Sequence, residues 1–367
     1  MKRPGGLPRR RFLALSGVSL FAGVSTWSPV SAACSVPSRG INIPGWFDRA
    51  DGVAPAAAVL EKLRRCGFAT VRLPIDGATV LSGAPALSSI RKGIERLVDA
   101  GFAVLADMHP SAGLHFALRT DPAAGGMLVA EAWTALAAVI ADLPAGKVYP
   151  ELLNEPPMEP AAWLTLRDRL AGIVRRICPH HTLVWGPAPD QGIWQLDATP
   201  PLADDRQIAA VHFYAPMAFT HQCQSWGGSP LARIGGLPFP ATRDMPRIRQ
   251  VIAALRAAGD DTAVRLVTEQ LASDCTAAAI RTEFRRAADW SAASGCPVML
   301  NEFGVLDFCV DAASRTAWVR AVRRAAEECG IGWAYWELDQ GFGLIEDRSS
   351  TKGFNDAMLE ALFDADG

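Results

Sequence analysis

The chain has 367 residues, and its 36 Lys and Arg against 38 Asp and Glu give a formal net charge of −2. Five of the basic residues and none of the acidic ones lie in the first 33 positions, so residues 34–367 carry 31 basic and 38 acidic side chains. A mildly acidic chain without basic runs argues against a nucleic-acid partner. The sequence also has no Ser/Thr/Pro-rich linker, which argues against an appended binding module.

Residues 1–33 are predicted to be a twin-arginine export signal. Arg9, Arg10 and Arg11 precede an apolar run at residues 13–24, and Ser31-Ala32-Ala33 supplies small residues before a cleavage point. Cleavage there would leave residues 34–367 as one domain, in the periplasm or outside the cell and without membrane association.

Two alternatives for the N-terminus are weaker. A membrane-anchoring helix is disfavoured because Gly17, Gly23 and Pro29 interrupt the short apolar run. Lipid attachment at Cys34 is disfavoured because Ser31 stands where a lipidation signal usually has a bulky aliphatic residue.

After residue 33, short apolar strands alternate with longer helical segments. The predicted strands are residues 39–43, 70–75, 103–109, 147–155, 182–186, 207–214, 298–304 and 331–338. The clearest helices are residues 55–66, 88–100, 131–143, 161–177, 276–294 and 312–329. Eight strands with intervening helices predict an α/β fold of the (β/α)8 TIM-barrel type. The alternative is an open doubly wound sheet, which would usually carry a glycine-rich phosphate-binding turn where this chain has Pro44-Gly45-Trp46.

Two of the predicted strands end in an asparagine followed by a glutamate. Asn154-Glu155 precedes Pro156, and a proline restricts the residue before it to extended backbone, so Glu155 is predicted to end its strand. Asn301-Glu302 ends a second strand. Apolar surroundings raise the pKa of a carboxyl group and suit it to general acid catalysis. Two such glutamates predict the paired carboxylates of glycoside hydrolysis, whereas a solvated turn is the alternative for residues 154–156.

Strand alternation provides an independent test, because residues of one parity face the interior of a barrel. On this basis Glu302 is assigned to the same face as Val298 and Leu300. Adjacent Asn154 and Glu155 can both face the site only if their strand end is irregular. The polar and aromatic residues that fall on predicted inward faces near the C-terminal strand ends, where barrel enzymes place their active sites, are Arg72, His109, His212, Tyr214, Glu302 and Trp336.

Six motifs follow one another in chain order at these strand ends. They are Val71-Arg72-Leu73-Pro74, Met108-His109, Asn154-Glu155-Pro156, His212-Phe213-Tyr214, Glu302-Phe303-Gly304 and Trp333-Ala334-Tyr335-Trp336. The ordered set resembles glycoside hydrolase family 5, the cellulase family of the retaining barrel clan. The resemblance extends over essentially the whole of residues 34–367.

The resemblance implies roles for five of these residues. Glu155 would protonate the leaving glycosidic oxygen and later deprotonate the incoming water, while Glu302 would attack the anomeric carbon. The two carboxyl groups should then lie about 5 Å apart, and the configuration should be retained. Arg72 and Tyr214 would keep Glu302 ionised, and Asn154 would bind the sugar 2-hydroxyl.

The two histidines and one tryptophan complete the implied catalytic group. His109 would line the subsite at the cleavage point, His212 would lie beside the acid, and Trp336 would form a stacking floor for the sugar. The histidines could instead be core residues, or metal ligands together with Asp107 and His115. No metal or cofactor is expected, because the chain has no dense ligand spacing such as His-Glu-x-x-His.

Further substrate contacts are predicted in the loops that follow the strands. Trp46, Trp194 and Trp226 lie in loops rich in glycine and proline, where exposed tryptophans suit stacking on the apolar face of a pyranose. The long span between Tyr214 and Val298 predicts an elaborated sixth loop, with an extra helix at residues 244–258, that walls the cleft. The predicted substrate-binding residues are Trp336, Trp46, Trp226, His115, His221 and Gln222.

The eight cysteines predict disulfides rather than a zinc cluster, because no Cys-x-x-Cys pair exists and export would permit oxidation. We expect a Cys296–Cys329 bridge at the bottom of the barrel. A pairing among Cys223, Cys275 and Cys309 is expected in the loops of the opposite face.

The predicted function is that of an exported retaining endo-β-1,4-glucanase, acting as a monomer on a β-linked polysaccharide or oligosaccharide. Mannan, β-1,3-glucan and xyloglucan are alternative substrates, since loop shape rather than the shared core sets specificity. A non-catalytic polysaccharide-binding barrel is the alternative from a different class of protein.

Overall fold

Eight parallel strands pair in sequential order and close into a barrel in the computed structural model, which describes residues 36–364. The strands are β1 (Gly40–Asn42), β2 (Thr70–Ile75), β3 (Ala103–Met108), β4 (Val148–Glu151), β5 (Leu183–Trp185), β6 (Gln207–Phe213), β7 (Val298–Phe303) and β8 (Gly332–Tyr335). The predicted (β/α)8 fold is therefore confirmed. The predicted export signal and Cys34 lie outside the described residues.

Helices connect the strands and cover the outside of the barrel. They are α1 (Ala57–Cys66), α2 (Gly77–Leu81), α3 (Ala84–Asp99), α4 (Ala112–Thr120), α5 (Pro122–Ile140), α6 (Pro160–Ile177), α7 (Met217–Thr220), α8 (Pro246–Ala257), α9 (Asp261–Gln270), α10 (Ala277–Ser294), α11 (Ala312–Glu328) and α12 (Asp356–Phe363). Two short 3-10 turns, Ile193–Ala198 and Pro230–Arg233, lie in the loops after β5 and β6.

Helix α5 begins nine residues before its predicted start. The Asp121 side chain caps the helix by accepting a hydrogen bond from the Ala124 N–H, and Pro122 fits the first turn, where its missing N–H is not needed. By length and composition α5 is apolar enough to cross a membrane, although residues 34–367 were expected to have no membrane association. It is nevertheless half buried and packs against α4 and α6, as a core helix does.

Seven side chains fill the interior of the barrel below the site. They are Leu105, Tyr149, Val184, Ile208, Ala210, Met299 and Ala334. The predicted parity is thus correct for β3, β6 and β8. It is wrong for β7, where Met299 faces inward while Val298 and Leu300 pack in the outer core between sheet and helices.

A β-bulge explains how Glu302 nevertheless reaches the site. Val211 of β6 pairs with Leu300, but the next residue, His212, pairs with Glu302, so Asn301 is an extra residue on β7. A bulge re-aims the side chains that follow it. Asn301 and Glu302 therefore both point toward the C-terminal end of the barrel interior.

The end of β4 is also irregular, as the adjacent Asn154 and Glu155 required. The strand ends at Glu151 rather than at Glu155, and Leu152 and Leu153 both pack into the outer core. The extended backbone predicted for Glu155 is wrong, because its φ is +39°. A side chain other than glycine is rare and strained in this region and is found mainly at functional sites.

The connection between β6 and β7 is the elaborated loop that the sequence predicts. It contains α7, α8, α9 and α10. One disulfide, Cys223–Cys309, joins this connection to the loop after β7, as expected from the three cysteines near the upper face. The expected Cys296–Cys329 bridge is wrong, because the Cys296 Sγ instead lies 3.6 Å from the Pro297 carbonyl oxygen.

Closure of the barrel predicts that a side chain at Gly40 would destabilise the fold, because Gly40 pairs with Ala334 where β1 meets β8. A Cβ at Gly40 would lie 2.7 Å from the Ala334 Cβ. We expect Gly40→Ala to lower the free energy of unfolding by about 1–3 kcal/mol, as overpacking of a tight core does, measured by denaturant titration.

Gly146→Ala is the matched control, because an added Cβ there meets no atom within 4 Å and its φ is not left-handed. It should change the free energy of unfolding by less than about 0.5 kcal/mol. Equal effects of the two substitutions would show that the contact across the closure is not tight.

Candidate active site

Arg72 lies at the centre of the upper barrel interior and is fully buried. Its Nε and Nη2 donate to the two carboxylate oxygens of Glu151 at 2.7 and 2.9 Å. Its Nη1 donates to Glu302 at 2.5 Å, and Nη2 lies 3.0 Å from Asp107. Burial works against the Arg72 charge, but Asp107, Glu151 and Glu302 outweigh it, so the pKa of Arg72 is raised well above its ordinary value.

Glu302 is held at both of its carboxylate oxygens. Oε1 accepts from Arg72, and Oε2 accepts from the Tyr214 hydroxyl at 2.9 Å. Hydrogen bonds to the charged form of a carboxylate favour ionisation. Burial, together with the Glu302 charge, raises the pKa of Tyr214 well above its ordinary value, so the phenol stays a hydrogen-bond donor.

Glu155 has a different environment, although it lies next to Glu302. Its side chain is 39% exposed to the cleft, and its Oε1 lies 2.8 Å from the His212 Nδ1. Burial of the carboxyl group at the base of the cleft raises the pKa of Glu155, against the lowering effect of His109 and Arg72. Two neighbouring carboxyl groups thus have different hydrogen-bond partners.

His212 is the neutral partner of Glu155. Burial lowers the pKa of His212 to about 4, against the opposing charge of Glu302. Its Nε2 is buried and has no hydrogen-bond partner within residues 36–364. The single ring hydrogen therefore belongs on Nδ1, which donates to the Glu155 Oε1.

Gln191 fixes the backbone of Glu155. Its side-chain Oε1 accepts from the Glu155 N–H at 2.6 Å, and its carbonyl oxygen accepts from the His212 N–H at 2.8 Å. The buried Gln191 side chain crosses directly over Gly186, where an added Cβ would lie 2.2 Å from the Gln191 Cγ. Only glycine permits this approach at the end of β5.

Asn154 and His109 are oriented by the same charged cluster. Because Arg72 carries only donors, its 2.7 Å contact to Asn154 fixes the carboxamide oxygen toward Arg72 and leaves the NH2 group facing the cleft. Asp107 accepts from the His109 Nδ1 at 2.8 Å. Burial would lower the pKa of His109, but the charge and hydrogen bond of Asp107 prevail, so its pKa is raised.

These side chains form the floor of a cleft of about 1000 Å³. Trp336 lines it, with its ring nearly parallel to that of His109 at 5.9 Å between centroids. Trp194 and Trp226 also line the cleft and are each about half exposed. The predicted residues that line the cleft are Glu155, Glu302, His109, Asn154, His212, Tyr214, Trp336, Trp226 and His221.

Three predicted substrate contacts do not line the cleft. Trp46 is buried, stacks on Phe47 and borders a separate cavity of about 540 Å³. Gln222 is buried because its amide bonds to the backbone of Phe219 and Leu237, which organises the loop after β6. His115 is exposed on α4, although it is near enough for its charge to lower the pKa of Glu155.

Sequence reasoning missed Glu151, Asn301 and Gln191 as parts of the site. Glu151 is the most informative omission, because a glutamate inside the apolar run at residues 148–153 needs a buried partner. That partner is Arg72, and Asn301 adds a hydrogen bond at 2.6 Å. The role of Asn301 could not be predicted, because the rule that side chains alternate along a strand does not reveal a β-bulge. Nothing in the sequence around Gln191 marks it as a site residue.

Donor atoms of Glu155, His212 and Glu302 all lie within 4.8 Å of one another. Two carboxylates and an imidazole could hold a divalent cation by donor type. The guanidinium of Arg72, which bonds directly to Glu302, already supplies a positive charge at this point. Oxygens within 4.8 Å of each other place the two carboxyl groups nearer to the separation of about 5–5.5 Å in retaining glycosidases than to the about 6.5–9.5 Å of inverting ones.

The family model described as Cellulase (glycosyl hydrolase family 5) matches residues 29–341. The chain belongs to glycoside hydrolase family 5. The eight-stranded barrel is what the earlier resemblance implied for this family.

Two curated relatives carry names of enzymes that act on glucans. The chain is 26% identical over 348 residues to Endoglucanase 3 of Fibrobacter succinogenes, covering 88% of this chain and 52% of that protein. It is 26% identical over 212 residues to Cellodextrinase A of Ruminococcus flavefaciens, covering 51% of this chain and 61% of that protein. The chain thus spans little more than half the length of the relatives it matches.

Solved structures share the fold. Cel5A of Thermotoga maritima, in a mutant form with cellobiose, superposes with a TM-score of 0.72 at 25% identity, covering 89% of this chain and 96% of that one. The cellulose synthase subunit Z of Clostridioides difficile gives 0.73 at 22% identity, covering 89% of this chain and all of that one. At 22% identity, the similarity to the Clostridioides protein concerns the fold alone.

The buried charge cluster predicts a pH dependence of stability. Burial raises the pKa of Glu151 from its ordinary value to about 7, against the effect of Arg72. A carboxyl group with a raised folded-state pKa contributes stability below about pH 4.5 that is lost as pH rises through 7. In denaturant titrations between pH 4.5 and 8, Glu151→Gln should remove this contribution to the slope of the unfolding free energy against pH. The contribution is at most about 1.36 kcal/mol per pH unit.

The control for this experiment is Glu61→Gln on the exposed face of α1, where the carboxylate pairs with Arg65 of the same helix. Its free energy of unfolding should keep the pH slope of the unaltered chain. A Glu151→Gln protein with that same slope would mean that Glu151 is ionised throughout the range.

Proposed function

We propose that the chain is an exported retaining endo-β-1,4-glucanase that cleaves β-glucan in two displacement steps through a glycosyl-enzyme. The observation that carries the proposal is the spacing of Glu155 and Glu302, whose nearest carboxylate oxygens lie within 4.8 Å. Inverting enzymes need about 6.5–9.5 Å to admit a water between the carboxyl groups. The distance supports direct attack by one of them.

Glu302 is the nucleophile of the proposed mechanism. Arg72 and the Tyr214 hydroxyl each donate to one of its oxygens, which favours the ionised form needed for attack on the anomeric carbon. When the carbon–oxygen bond to the sugar forms, the negative charge of Glu302 disappears. Arg72 then remains paired with Asp107 and hydrogen-bonded to Glu151, so the buried guanidinium keeps a counterion.

Glu155 is the acid in the first step and the base in the second. His212 donates to its Oε1, so the proton is carried on Oε2, the oxygen available to the leaving glycosidic oxygen. The raised pKa of Glu155 keeps that proton present above the ordinary range of a carboxylic acid. Loss of the Glu302 charge in the intermediate then lowers the pKa of Glu155, because a like charge has been removed, and suits it to deprotonate water.

The surrounding residues position the sugar. The Asn154 NH2 group, directed into the cleft by Arg72, is suited to donate to the 2-hydroxyl, a contact that strengthens in the transition state. The Trp336 ring provides an apolar surface for a pyranose, and His109 lies parallel to it.

The names of the relatives and the aromatic lining of the cleft support a β-glucan as substrate. Endoglucanase 3 and Cellodextrinase A are named for glucan cleavage. The Thermotoga enzyme was solved both with cellobiose and with mannotriose. Trp194 and Trp226 extend the lining beyond Trp336, as binding of more than one sugar requires. Mannan, β-1,3-glucan and xyloglucan are the alternatives within the family.

Export is part of the proposal and rests on two observations. Arg9, Arg10 and Arg11 precede an apolar run and small residues, in the pattern of a twin-arginine signal. The Cys223–Cys309 disulfide is of a kind that persists in the periplasm or outside the cell and is rare in a reducing cytoplasm.

The first experiment tests the substrate and the nucleophile together. We expect the protein to lower the viscosity of carboxymethylcellulose and barley β-glucan rapidly, and Glu302→Ala to abolish hydrolysis by at least about 10⁴-fold because no group remains to attack the anomeric carbon. Cellohexaose binding to the variant, measured by calorimetry, should persist. Activity should also survive dialysis against EDTA.

Activity restricted to mannan, laminarin or xyloglucan in the same panel would change the substrate and keep the mechanism. Equal behaviour of Glu302→Ala and the unaltered chain, with binding but no hydrolysis in either, would favour the non-catalytic sugar-binding barrel. An EDTA-sensitive activity would indicate a cation between Glu155 and Glu302.

A second experiment tests the role of Glu155. Glu155→Ala should cripple hydrolysis of cello-oligosaccharides but retain activity on aryl cellobiosides with good leaving groups, which need no protonation. Added azide should restore turnover and yield a β-glycosyl azide, because a small anion can enter the space left by the carboxylate. The basic limb of the pH profile, which lies above 4.5 in the unaltered chain because the pKa of Glu155 is raised, should disappear for aryl substrates.

Failure of azide to restore any turnover, with both substrate types lost equally, would contradict the acid/base assignment. Asp168→Ala, on the outer face of α6, is a suitable control because the exposed carboxylate pairs with the neighbouring Arg167. It should keep the full pH profile.

A further inference from the structure

A fully buried carboxyl group holds the backbone of the loop that follows β8, which we term the β8 loop (residues 337–343). The group belongs to Glu337. Its Oε2 accepts hydrogen bonds from the Asp339 and Gln340 N–H groups at 3.0 and 2.9 Å. Its Oε1 accepts from the Gln340 and Phe342 N–H groups at 2.9 and 3.2 Å. One side chain thus holds three backbone N–H groups of the loop.

The carbonyl oxygens of the β8 loop are held by other side chains. Arg315 of α11 is buried, and its Nη2 donates to the Phe342 and Gly343 carbonyl oxygens at 2.7 and 3.2 Å. The Tyr335 hydroxyl donates to the same Phe342 oxygen at 2.6 Å. Side chains therefore fix the loop at both its donors and its acceptors, as buried backbone requires.

Phe342 connects the β8 loop to the two glutamates of the site. Its ring packs against Tyr214 with centroids 5.9 Å apart and lies edge to face with His221 at 5.3 Å. Tyr214 in turn donates to the Glu302 Oε2 at 2.9 Å. A displacement of the loop would therefore reach the hydroxyl group that bonds Glu302.

The hydrogen-bonding capacity of Glu337 changes with its protonation. Burial raises the pKa of Glu337 to about 7, against the lowering effect of the backbone N–H groups, and the charge of Asp339 raises it as well. The other charged groups nearby are Arg348, which pairs with Asp339, and Arg315. A protonated carboxyl group offers a hydroxyl donor where the ionised form offers an acceptor. The anchor is therefore strongest above pH 7.

We propose that Glu337 is a positioning residue for the nucleophile. Through the backbone of the β8 loop it holds Phe342 against Tyr214, whose hydroxyl bonds Glu302. The carboxyl group of Glu337 is directed into the loop, so its effect falls on the chemical step rather than on sugar binding. The inference rests on the proposed function, to which it adds a residue that supports attack on the anomeric carbon.

The first test is Glu337→Gln, which replaces an acceptor oxygen by an NH2 group facing backbone donors. On cellohexaose above pH 7, we expect kcat to fall by about tenfold and KM to change by less than about twofold, in line with one hydrogen bond weakened in the transition state. Glu346→Gln is the matched control, because Glu346 is exposed in the same connection between β8 and α12. It should keep both constants, and circular dichroism would verify that both variants are folded.

A double-mutant cycle with Tyr214→Phe distinguishes positioning from general destabilisation. If Glu337 acts through the Tyr214 hydroxyl, Glu337→Gln should lower kcat much less in the Tyr214→Phe protein than in the unaltered chain. Phe342→Leu removes the ring but keeps the backbone anchor, and it should show the same loss of kcat and the same non-additivity. Additive losses in both cycles would overturn the proposal.

The pH profile provides a readout that a packing role would not change. The ratio of kcat of the unaltered chain to that of Glu337→Gln should be largest above pH 7 and should approach one well below it, where the carboxyl group is protonated. A ratio that stays constant across this range would show that the hydrogen bonds of the carboxylate are not the cause, and would overturn the anchor.

Other outcomes separate this inference from the proposed function. Hydrolysis by Glu337→Gln with an unchanged kcat, or with a raised KM alone, would overturn the positioning role and leave the glucanase intact. Absence of hydrolysis by the unaltered chain would overturn both. Amide hydrogen exchange over residues 337–343 is independent of turnover: it should be faster in Glu337→Gln, and equal exchange in the two proteins would overturn the anchor.

Discussion

The buried guanidinium of Arg72 is the interaction on which the rest of the site depends. A fully buried arginine is tolerable only when carboxylates surround it, and three do so from three different strands or strand ends. The fork of Nε and Nη2 on Glu151 fixes the plane of the guanidinium, which in turn fixes Nη1 on Glu302 and Nη2 on Asn154. The positions of nucleophile and sugar-binding amide thus follow from one charged group.

Irregularities of the backbone orient the other side chains of the site. An ideal strand sends neighbours to opposite faces, yet the site needs both Asn154 and Glu155, and both Asn301 and Glu302. The chain meets this need by ending β4 early with a left-handed residue and by inserting one residue into β7. Each departure costs local stability. The hydrogen bonds that the Glu155 N–H donates to Gln191 and that Asn301 donates to Glu151 offset part of this cost.

The sequence sufficed to predict the barrel, all eight strands and the residues that line the floor of the cleft, because strand-end motifs are local signals. The inward face of β7 was mispredicted because alternation assumes a regular strand, and a bulge is decided by pairing with β6. Trp46 and Gln222 were placed in the cleft on residue type alone. Whether a tryptophan faces a sugar or a neighbouring phenylalanine depends on long-range packing, which composition does not reveal.

The contrast between the buried barrel interior and the loops explains which residues can determine substrate selectivity. The groups that would break the bond are held by buried ion pairs inside the barrel, where few substitutions are tolerated. The rings that would bind the rest of the glucan chain, Trp194 and Trp226, stand on the loops after β5 and β6. A loop can exchange either ring without disturbing Arg72, so substrate length and linkage can change while the chemistry stays fixed.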